Sequence, residues 1–362
     1  MTRPTLYIAI TNHGFGHAVR AASVAGAIQR LNRDILLILV TTAPHWLLAS
    51  YIHGDFIQRV RGLDVGVIQS DSLTMDREAT LAKLREIQDS QHRIIAGEVD
   101  FIRTNRVGLV LADVPPLAAP IAKMAGVPCW MMSNFGWDYI YRDWGGEFKQ
   151  IADWMRDCYS QCDRLFRLPF HESMSAFSHI TDVGLTGGKT RYTPETIREI
   201  FHLVQPRDRT ILLSFGGLGL QAIPYPNLQD FPDWQFITFD EKAPDWDNIV
   251  KVTDHQYRPV DFMPLCGRVV SKPGYSTFSE ALCVGTPIAT ITRTGFAESQ
   301  LLMEGLQKYA FHQIIDSDEF FQRTWDFLRQ PLIPPKSSTP LATNGTETIA
   351  QKVVDYLGPA EK

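Results

Sequence analysis

The sequence has no long apolar run. Its longest uninterrupted one, residues 35–40, falls far short of the roughly 20 residues that a membrane-spanning helix needs, so no transmembrane segment is expected. Docking on a membrane surface stays open. An excess of basic charge is also missing: 35 Lys and Arg stand against 40 Asp and Glu, a formal net charge of -5. That balance leaves no electrostatic footprint for a nucleic acid, and none is expected as a partner. Cysteine is scarce, with Cys129, Cys158, Cys162, Cys266 and Cys283 an odd set at irregular spacing. Cys158 and Cys162 would lie one helical turn apart, but no second Cys/His pair accompanies them, so all five read as reduced, mostly buried thiols and no metal site is expected. The amino-terminal apolar stretch breaks at Asn12 and His13 and lacks a small-residue cleavage site. It is not a signal peptide, and a cytoplasmic location, including a peripheral one at a membrane, is expected.

What is present is a chain of 362 residues, 44% hydrophobic and 21% charged, with 25 Gly and 22 Pro scattered along it. That length and composition can bury a large core and suit two domains rather than one. Short apolar runs alternate with helix-period segments from end to end, the pattern of βαβ units around parallel sheets. Residues 6–10 read as a strand, 11–17 as a glycine loop and 18–31 as a helix, with Val24, Ala27, Ile28 and Leu31 at i, i+3, i+4 and i+7. Further strands are expected at 35–40, 107–111 and 127–132, with a long helix over 80–104. The pattern restarts at 210–214 with a strand and a second glycine turn, Phe215-Gly216-Gly217-Leu218-Gly219. Later strands fall at 236–239, 249–252, 269–271 and 288–291, and a helix from about Thr277 ends at Cys283 and Val284 with Gly285 as its cap. Thr193 and Pro194 suit the start of a short helix inside a polar connection at 184–208. An extended linker covers 331–345, and a final helix runs over 347–357, stopping at Gly358 and Pro359. The domains expected are residues 1–185, a linker 186–207, residues 208–340, and a carboxyl-terminal helix at 341–362 that packs back on the first lobe.

Ligands of open α/β sheets bind at the carboxyl ends of the strands, so two such lobes in tandem are expected to face one central cleft. In each glycine loop the backbone can approach a ligand closely, and the helix that follows offers N–H groups and a positive dipole end to an anion. Neither loop has P-loop or GxGxxG spacing. The segment 269–288 is richer: Ser271, Gly274, Ser276 and Thr277 bring small donors to a helix start, the chemistry a diphosphate needs. Glu280 follows a turn later, where a carboxylate can accept from the vicinal hydroxyls of a ribose. The same spacing also describes a tight strand–helix turn capped by Ser276 or Thr277, with Glu280 as capping-box partner.

Residues 271–280 resemble the donor-binding signature of GT-B glycosyltransferases, especially the family that adds N-acetylglucosamine to the lipid-linked peptidoglycan precursor. Residues 215–219 are similar to that family's second glycine loop, and His13-Gly14-Phe15-Gly16-His17-Ala18-Val19-Arg20 resembles its first. A closer resemblance runs to the glycosyltransferase-like amino-terminal region of arabinokinase-type proteins. It is carried by residues 13–20, Asp113-Val114-Pro115-Pro116-Leu117-Ala118, the stretch 134–141, residues 271–277 and Phe296-Ala297-Glu298, and so reaches from residue 6 to about 310. The kinase domain of those proteins is not expected, because little room remains after residue 345.

The resemblance implies an α/β chain of GT-B architecture, two Rossmann-like doubly wound lobes facing a central cleft. It implies an inverting, metal-independent hexosyl-type transfer from a nucleoside diphosphate sugar, UDP-linked, to a hydroxyl acceptor, a lipid-linked one included, with no cofactor beyond the donor substrate. His17 matches the family's general base, and Asp113 matches the aspartate that orients this histidine in plant secondary-metabolite glucosyltransferases. Donor contacts are expected from Gly14, Gly16, Ser214, Gly216, Gly217, Tyr257, Ser271, Gly274, Ser276, Thr277, Glu280, Glu298 and Gln300. Acceptor contacts are expected from His13, Asn134 and Trp137. The aromatic stretch Trp130, Phe135, Trp137, Tyr139 and Tyr141 fits either a sugar-packing floor or the core. Two departures leave the donor sugar open: Lys272 and Pro273 stand where the signature has Arg and Ser, and the paired glutamines are reduced to Ser299 and Gln300. A non-catalytic sugar-nucleotide-binding protein and a sugar-nucleotide epimerase on the same fold are the alternatives.

Overall fold

The computed structural model describes residues 3–70, 73–217, 219–220, 223–322 and 324–358. Leu218 of the second glycine turn and Pro359, the expected stop of the last helix, lie outside the described residues. Contacts divide the chain into two compact units: one takes the chain up to Ile68, Met75–Thr186 and the chain from Ala342, and the other takes Gln69–Thr74 and Gly187–Leu341.

The first unit is built in chain order from β1 (Thr5–Ile10), α1 (Gly16–Leu31), β2 (Leu36–Val40), α2 (His45–Ala49), β3 (Ile57–Arg59), α3 (Arg77–Thr104) and β4 (Leu109–Asp113). It continues through α4 (Ala118–Ala125), β5 (Cys129–Ser133), α5 (Trp137–Trp144), α6 (Phe148–Tyr159), β6 (Arg164–Arg167) and β7 (Ile180–Asp182). The strands pair in parallel in the order β3-β2-β1-β4-β5-β6-β7. Every residue of β1 and β4 is buried, as befits strands covered on both faces by helices. The strand order reverses between β1 and β4, where Ile10 pairs with Asp113, so the ends of these two strands form the switch point of the sheet.

The second unit repeats the plan with α7 (Pro194–Ile200), β8 (Thr210–Ser214), β9 (Gln235–Thr238), β10 (Ile249–Lys251), α8 (Pro259–Phe262), β11 (Arg268–Ser271) and α9 (Tyr275–Cys283). After these come β12 (Ile288–Ile291), α10 (Glu298–Tyr309), β13 (His312–Ile315) and α11 (Ser317–Gln322). Its parallel order, β10-β9-β8-β11-β12-β13, reverses between β8 and β11, whose last residues Ser214 and Ser271 are paired. Leu73, far away in sequence, packs on this unit's core.

The chain then returns to the first unit as α12 (Gly345–Leu357), which packs on α1 through buried Ile349, Ala350 and Val353. Two glycines permit the crossing. A Cβ on Gly345 would lie 2.0 Å from the carbonyl oxygen of Gly184, and one on Gly184 would lie 2.5 Å from that of Ala342. Trp130 serves this docking, its ring centroid 5.1 Å from that of Tyr356, so it belongs to the helix contact rather than to a sugar floor.

Three local expectations are corrected. Helix α9 starts at Tyr275 with Gly274 as its N-cap and no side-chain cap, so Ser276 and Thr277 sit inside the first turn and the capping-box alternative fails. Gly285, with φ of 68°, stands one residue past the C-cap Val284. Helix α6 ends at Tyr159, so Cys162 does not share it with Cys158; its thiol meets the carbonyl oxygen of Cys129 instead.

Candidate functional site

At the first switch point, the backbone N–H of Thr11 donates to the carbonyl of Asp113 at 2.8 Å and clips the glycine loop to β4. Gly14, with φ of 57°, turns the loop so that α1 begins at Gly16. His17 and Arg20 then lie three residues apart on one helix face. Both reach Asp113: His17 Nδ1 lies 2.7 Å from its Oδ1, while Arg20 donates from Nε to Oδ2 and from Nη2 to Oδ1. All three side chains are buried, Asp113 completely. Burial pushes its carboxyl up, but the Arg20 charge, the His17 ring and hydrogen bonds from both outweigh this and hold it below the usual carboxylate range. The residue after it, Val114, has φ of 133°, a strained conformation for a β-branched side chain, and its carbonyl is held by the Tyr159 hydroxyl at 2.9 Å.

A second carboxylate backs this trio. Asp64 accepts from the backbone N–H of Asn12 at 2.7 Å and from the Thr11 hydroxyl, which in turn accepts from Trp137 Nε1 at 2.9 Å. Burial pushes Asp64 up to about 6, against the pull of its hydrogen bonds and of His17. Nearby, Val67 donates its N–H to His13 Nδ1 at 3.2 Å, and Gly66 is pressed so closely to His13 that a Cβ would sit 2.3 Å from the histidine's own. His13 meets Trp137 edge-on, with ring centroids 5.2 Å apart, and the His17 ring lies tilted to it at 6.1 Å. Asn134 is wholly buried, its Oδ1 accepting from Arg20 Nη1 at 3.0 Å. Asn134 and Trp137, expected on the acceptor side, thus lie under the His17 network, and only His13 of that group is partly exposed.

At the switch point of the second unit, Ser271 is fully buried and its hydroxyl has no hydrogen-bond partner. Beside it, Lys272 lies over the second glycine turn: a Cβ on Gly216, where φ is 77°, would be 3.6 Å from Lys272 Cε. Burial and the charge of Arg293 push the Lys272 ammonium down to about 8, with Glu298 opposing them. The uncapped first turn of α9, with Gly274, Ser276 and Thr277, follows directly. This end of the sheet therefore joins an unsatisfied hydroxyl, a destabilised cation and a helix N-terminus, three features that each favour an anion.

The remaining donor-side expectations divide. Glu280 is buried and its Oε1 accepts from the Gly188 N–H at 3.0 Å, with Gly187 so close that a Cβ would be 2.8 Å from Glu280 Cγ. Tyr257 stands half-buried against Tyr192 and Phe201, at 5.4 and 4.8 Å between centroids. Glu298 is buried at the start of α10, within the electrostatic reach of Lys272. Gln300 points along the exposed side of α10 to Glu304, at 3.0 Å. Among the described residues no three His, Cys, Asp or Glu side chains are grouped as metal ligands, and no helix is long and apolar enough to cross a membrane.

The sequence alone marks His17 and Asp113 and gives no role to Arg20, although Arg20 closes the same motif. Asp64 lay in no motif at all, and Lys272 was noted only as a departure.

No family model matches the chain. Over 315 residues it is 29% identical to L-arabinokinase of Arabidopsis thaliana, a match covering 83% of this chain and 29% of that protein. The chain therefore spans under a third of that relative's length. Among solved structures it is similar to UGT89C1 of Arabidopsis thaliana, with a TM-score of 0.63 at 12% identity, covering 98% of this chain and 100% of that one. It is likewise similar to a UDP-glucosyltransferase from Polygonum tinctorium capable of glucosylating indoxyl, with a TM-score of 0.61 at 11% identity over 99% and 94% of the two chains. Medicago truncatula UGT71G1, solved with UDP-glucose, gives 0.56 at 14% identity over 99% and 91%. These likenesses define the fold: the chain has the GT-B architecture of two Rossmann-like α/β domains.

Proposed function

We propose that the chain is an inverting glycosyltransferase that moves a sugar from a UDP-sugar to a hydroxyl acceptor without a metal ion. The observation that carries this reading is the contact of His17 Nδ1 with Asp113 Oδ1 at the carboxyl end of the first sheet. A histidine held by a carboxylate through one nitrogen can take a proton at the other, which is what an acceptor hydroxyl must lose as it attacks. The acceptor oxygen bonds to the anomeric carbon as the bond to the diphosphate oxygen breaks on the opposite face, the proton passes to His17 Nε2, and the configuration inverts. The departing diphosphate carries the electron pair and needs fixed donors and charge, the chemistry that the Ser271, Lys272 and α9 end of the second unit offers an anion. UGT89C1 has been solved with UDP and with UDP-L-rhamnose, which supports a uridine donor. We read the likeness of residues 13–20 and 271–280 to the peptidoglycan-precursor enzymes as the same donor chemistry, and residues 208–340 as the donor domain.

The test is direct. The purified chain is incubated with a panel of UDP-sugars and hydroxyl acceptors, and UDP release and glycoside formation are followed together. Equimolar UDP and glycoside of inverted anomeric configuration is the expected result. An isomerised UDP-sugar, or tight UDP-sugar binding with no product from any acceptor, would replace this reading with the epimerase or the binding protein.

A further inference from the structure

Arg20 is 1% exposed, and a guanidinium at that depth needs a specific set of acceptors. Counting protons shows what it does there. Its Nη2 carries two hydrogens and has three neighbours that could accept them: Asp113 Oδ1 at 2.5 Å, Ser133 Oγ at 3.2 Å and His17 Nδ1 at 3.0 Å. Ser133 sends its own hydroxyl proton to the Phe135 carbonyl at 2.7 Å, so its lone pairs are left to accept. Asp113 Oδ1, held as a carboxylate, only accepts, yet it stands 2.7 Å from His17 Nδ1, a separation that requires a proton between them. One arrangement gives each of these protons an acceptor, and in it the approach of Nη2 to His17 Nδ1 is not a hydrogen bond. Nη2 donates to Asp113 and Ser133, His17 Nδ1 donates to Asp113, and the lone pair of the imidazole sits at Nε2.

We propose that Arg20 is a positioning residue for His17, fixing the Nδ1–H tautomer through Asp113, whose carboxylate it holds in place and whose charge it compensates. The proposal rests on the reading of His17 as base. Without the guanidinium, the buried Asp113 carboxylate would turn to the imidazole as its remaining cation and draw a proton onto it. The other titratable groups that face the ring are Asp64, whose charge acts in the same direction as that of Asp113, and His13, with its centroid 6.2 Å away. Arg20 is thus the cation that offsets the carboxylates around the base. The consequence is an imidazole that presents its lone pair at Nε2, away from the carboxylate.

The experiment is nitrogen NMR of the histidine rings in the full-length chain, with His17 assigned by comparison with His17→Ala, alongside pH profiles of kcat/KM. In the unaltered protein the expected ring has a protonated Nδ1 and an unprotonated Nε2. In Arg20→Gln the ring is expected as imidazolium, and the acidic limb of kcat/KM moves up by roughly one pH unit or more, a tenfold loss below it. Arg20→Lys, which keeps the charge, is expected to keep the limb in place while lowering kcat, and it serves also if the glutamine variant does not fold. An Nε2–H tautomer in the unaltered protein, with Nδ1 accepting from Arg20, would overturn the proposal on its own. So would a limb that stays in place in Arg20→Gln. Because the tautomer is read without turnover, an Nδ1–H ring in a protein that transfers no sugar leaves the Arg20 assignment standing and removes the transferase reading instead.

Discussion

His17 and Asp113 come from the first turn of α1 and the last residue of β4, 96 positions apart, and meet at 2.7 Å because β1 and β4 are neighbours at the point where the strand order reverses. The pair is tied to Arg20, and that changes what its two obvious variants report. If His17 is the base as proposed, His17→Ala should lower kcat by about 10² to 10⁴ with UDP affinity unchanged. Asp113→Asn also takes away the counter-charge of a buried guanidinium, so it should cost stability as well, on the order of 3 kcal/mol. Denaturant titrations of the two variants check this: equal stability of Asp113→Asn and the parent chain would mean that Arg20 finds another partner.

Lys272 gives a second prediction, through its ammonium at about 8 in the ligand-free protein. A bound diphosphate favours the charged form, so binding takes up a proton once the pH exceeds that value. The terminal phosphate of UDP is already ionised above pH 7. UDP affinity should therefore fall as the pH rises from about 7 to 9, by up to about tenfold per unit, the limit for one linked proton. Lys272→Arg, charged throughout, should flatten the dependence. Calorimetry across that range is the measurement, and an equally steep fall in Lys272→Arg would assign the titration to another group.

The two sheets were legible because buried parallel strands read as apolar runs: 210–214 and 288–291 matched observed strands residue for residue. The strands that escaped lack that signal. Strand β7 has all three residues exposed, β3 is a three-residue edge, β6 has arginine at both ends, and β13 opens with the polar pair His312 and Gln313. In the site, His17 and Asp113 were visible because each closes a glycine or proline motif. Asp64 was not, since its contact with Thr11 spans 53 positions and depends on a loop that no periodicity describes. Arg20 was in view but its role was not, because a basic residue in the third position after a histidine on a helix reads equally well as solvated. Only the burial of that helix face against the ends of β4 and β5, where Asp113, Ser133 and Asn134 meet the guanidinium, makes it an internal one.

Removing α12 should test that docking. The helix buries Ile349 and Val353 completely, and each such side chain contributes about 1.5–3 kcal/mol. Deleting residues 346–362 should therefore destabilise the first unit, and α1 with it, by several kcal/mol. Gly345→Ala should act in the same direction without deletion, because its Cβ would meet backbone atoms of Gly184 and Leu185 that cannot turn away. Hydrogen exchange is the measurement of choice, with faster exchange in β1 and α1 expected in both proteins. Unchanged protection there would mean that the contact contributes little.

Asp64 offers a prediction whose sign depends on the direction of its shift. Its carboxyl titrates near 6 in the folded chain, above the unfolded value, so the fold binds more protons than the unfolded chain between those limits. The contribution of Asp64 to stability is thus fully present below the unfolded value and is lost as the pH rises through about 6. From a displacement of about two units, the loss at neutral pH is on the order of 3 kcal/mol. Asp64→Asn cannot ionise and should escape it. Its amide oxygen can accept from Asn12 as the carboxylate does, while its NH₂ group cannot accept from the Thr11 hydroxyl, a loss of about 1 kcal/mol. The variant should therefore be more stable than the parent at pH 7.5 and less stable near pH 4.5. Asp138, also pushed up to about 6 by burial, adds a slope of the same sign to both proteins, so the difference between them isolates Asp64. Urea titrations at several pH values measure that difference, and a gap that stays constant across the range would show that the Asp64 carboxyl does not titrate there.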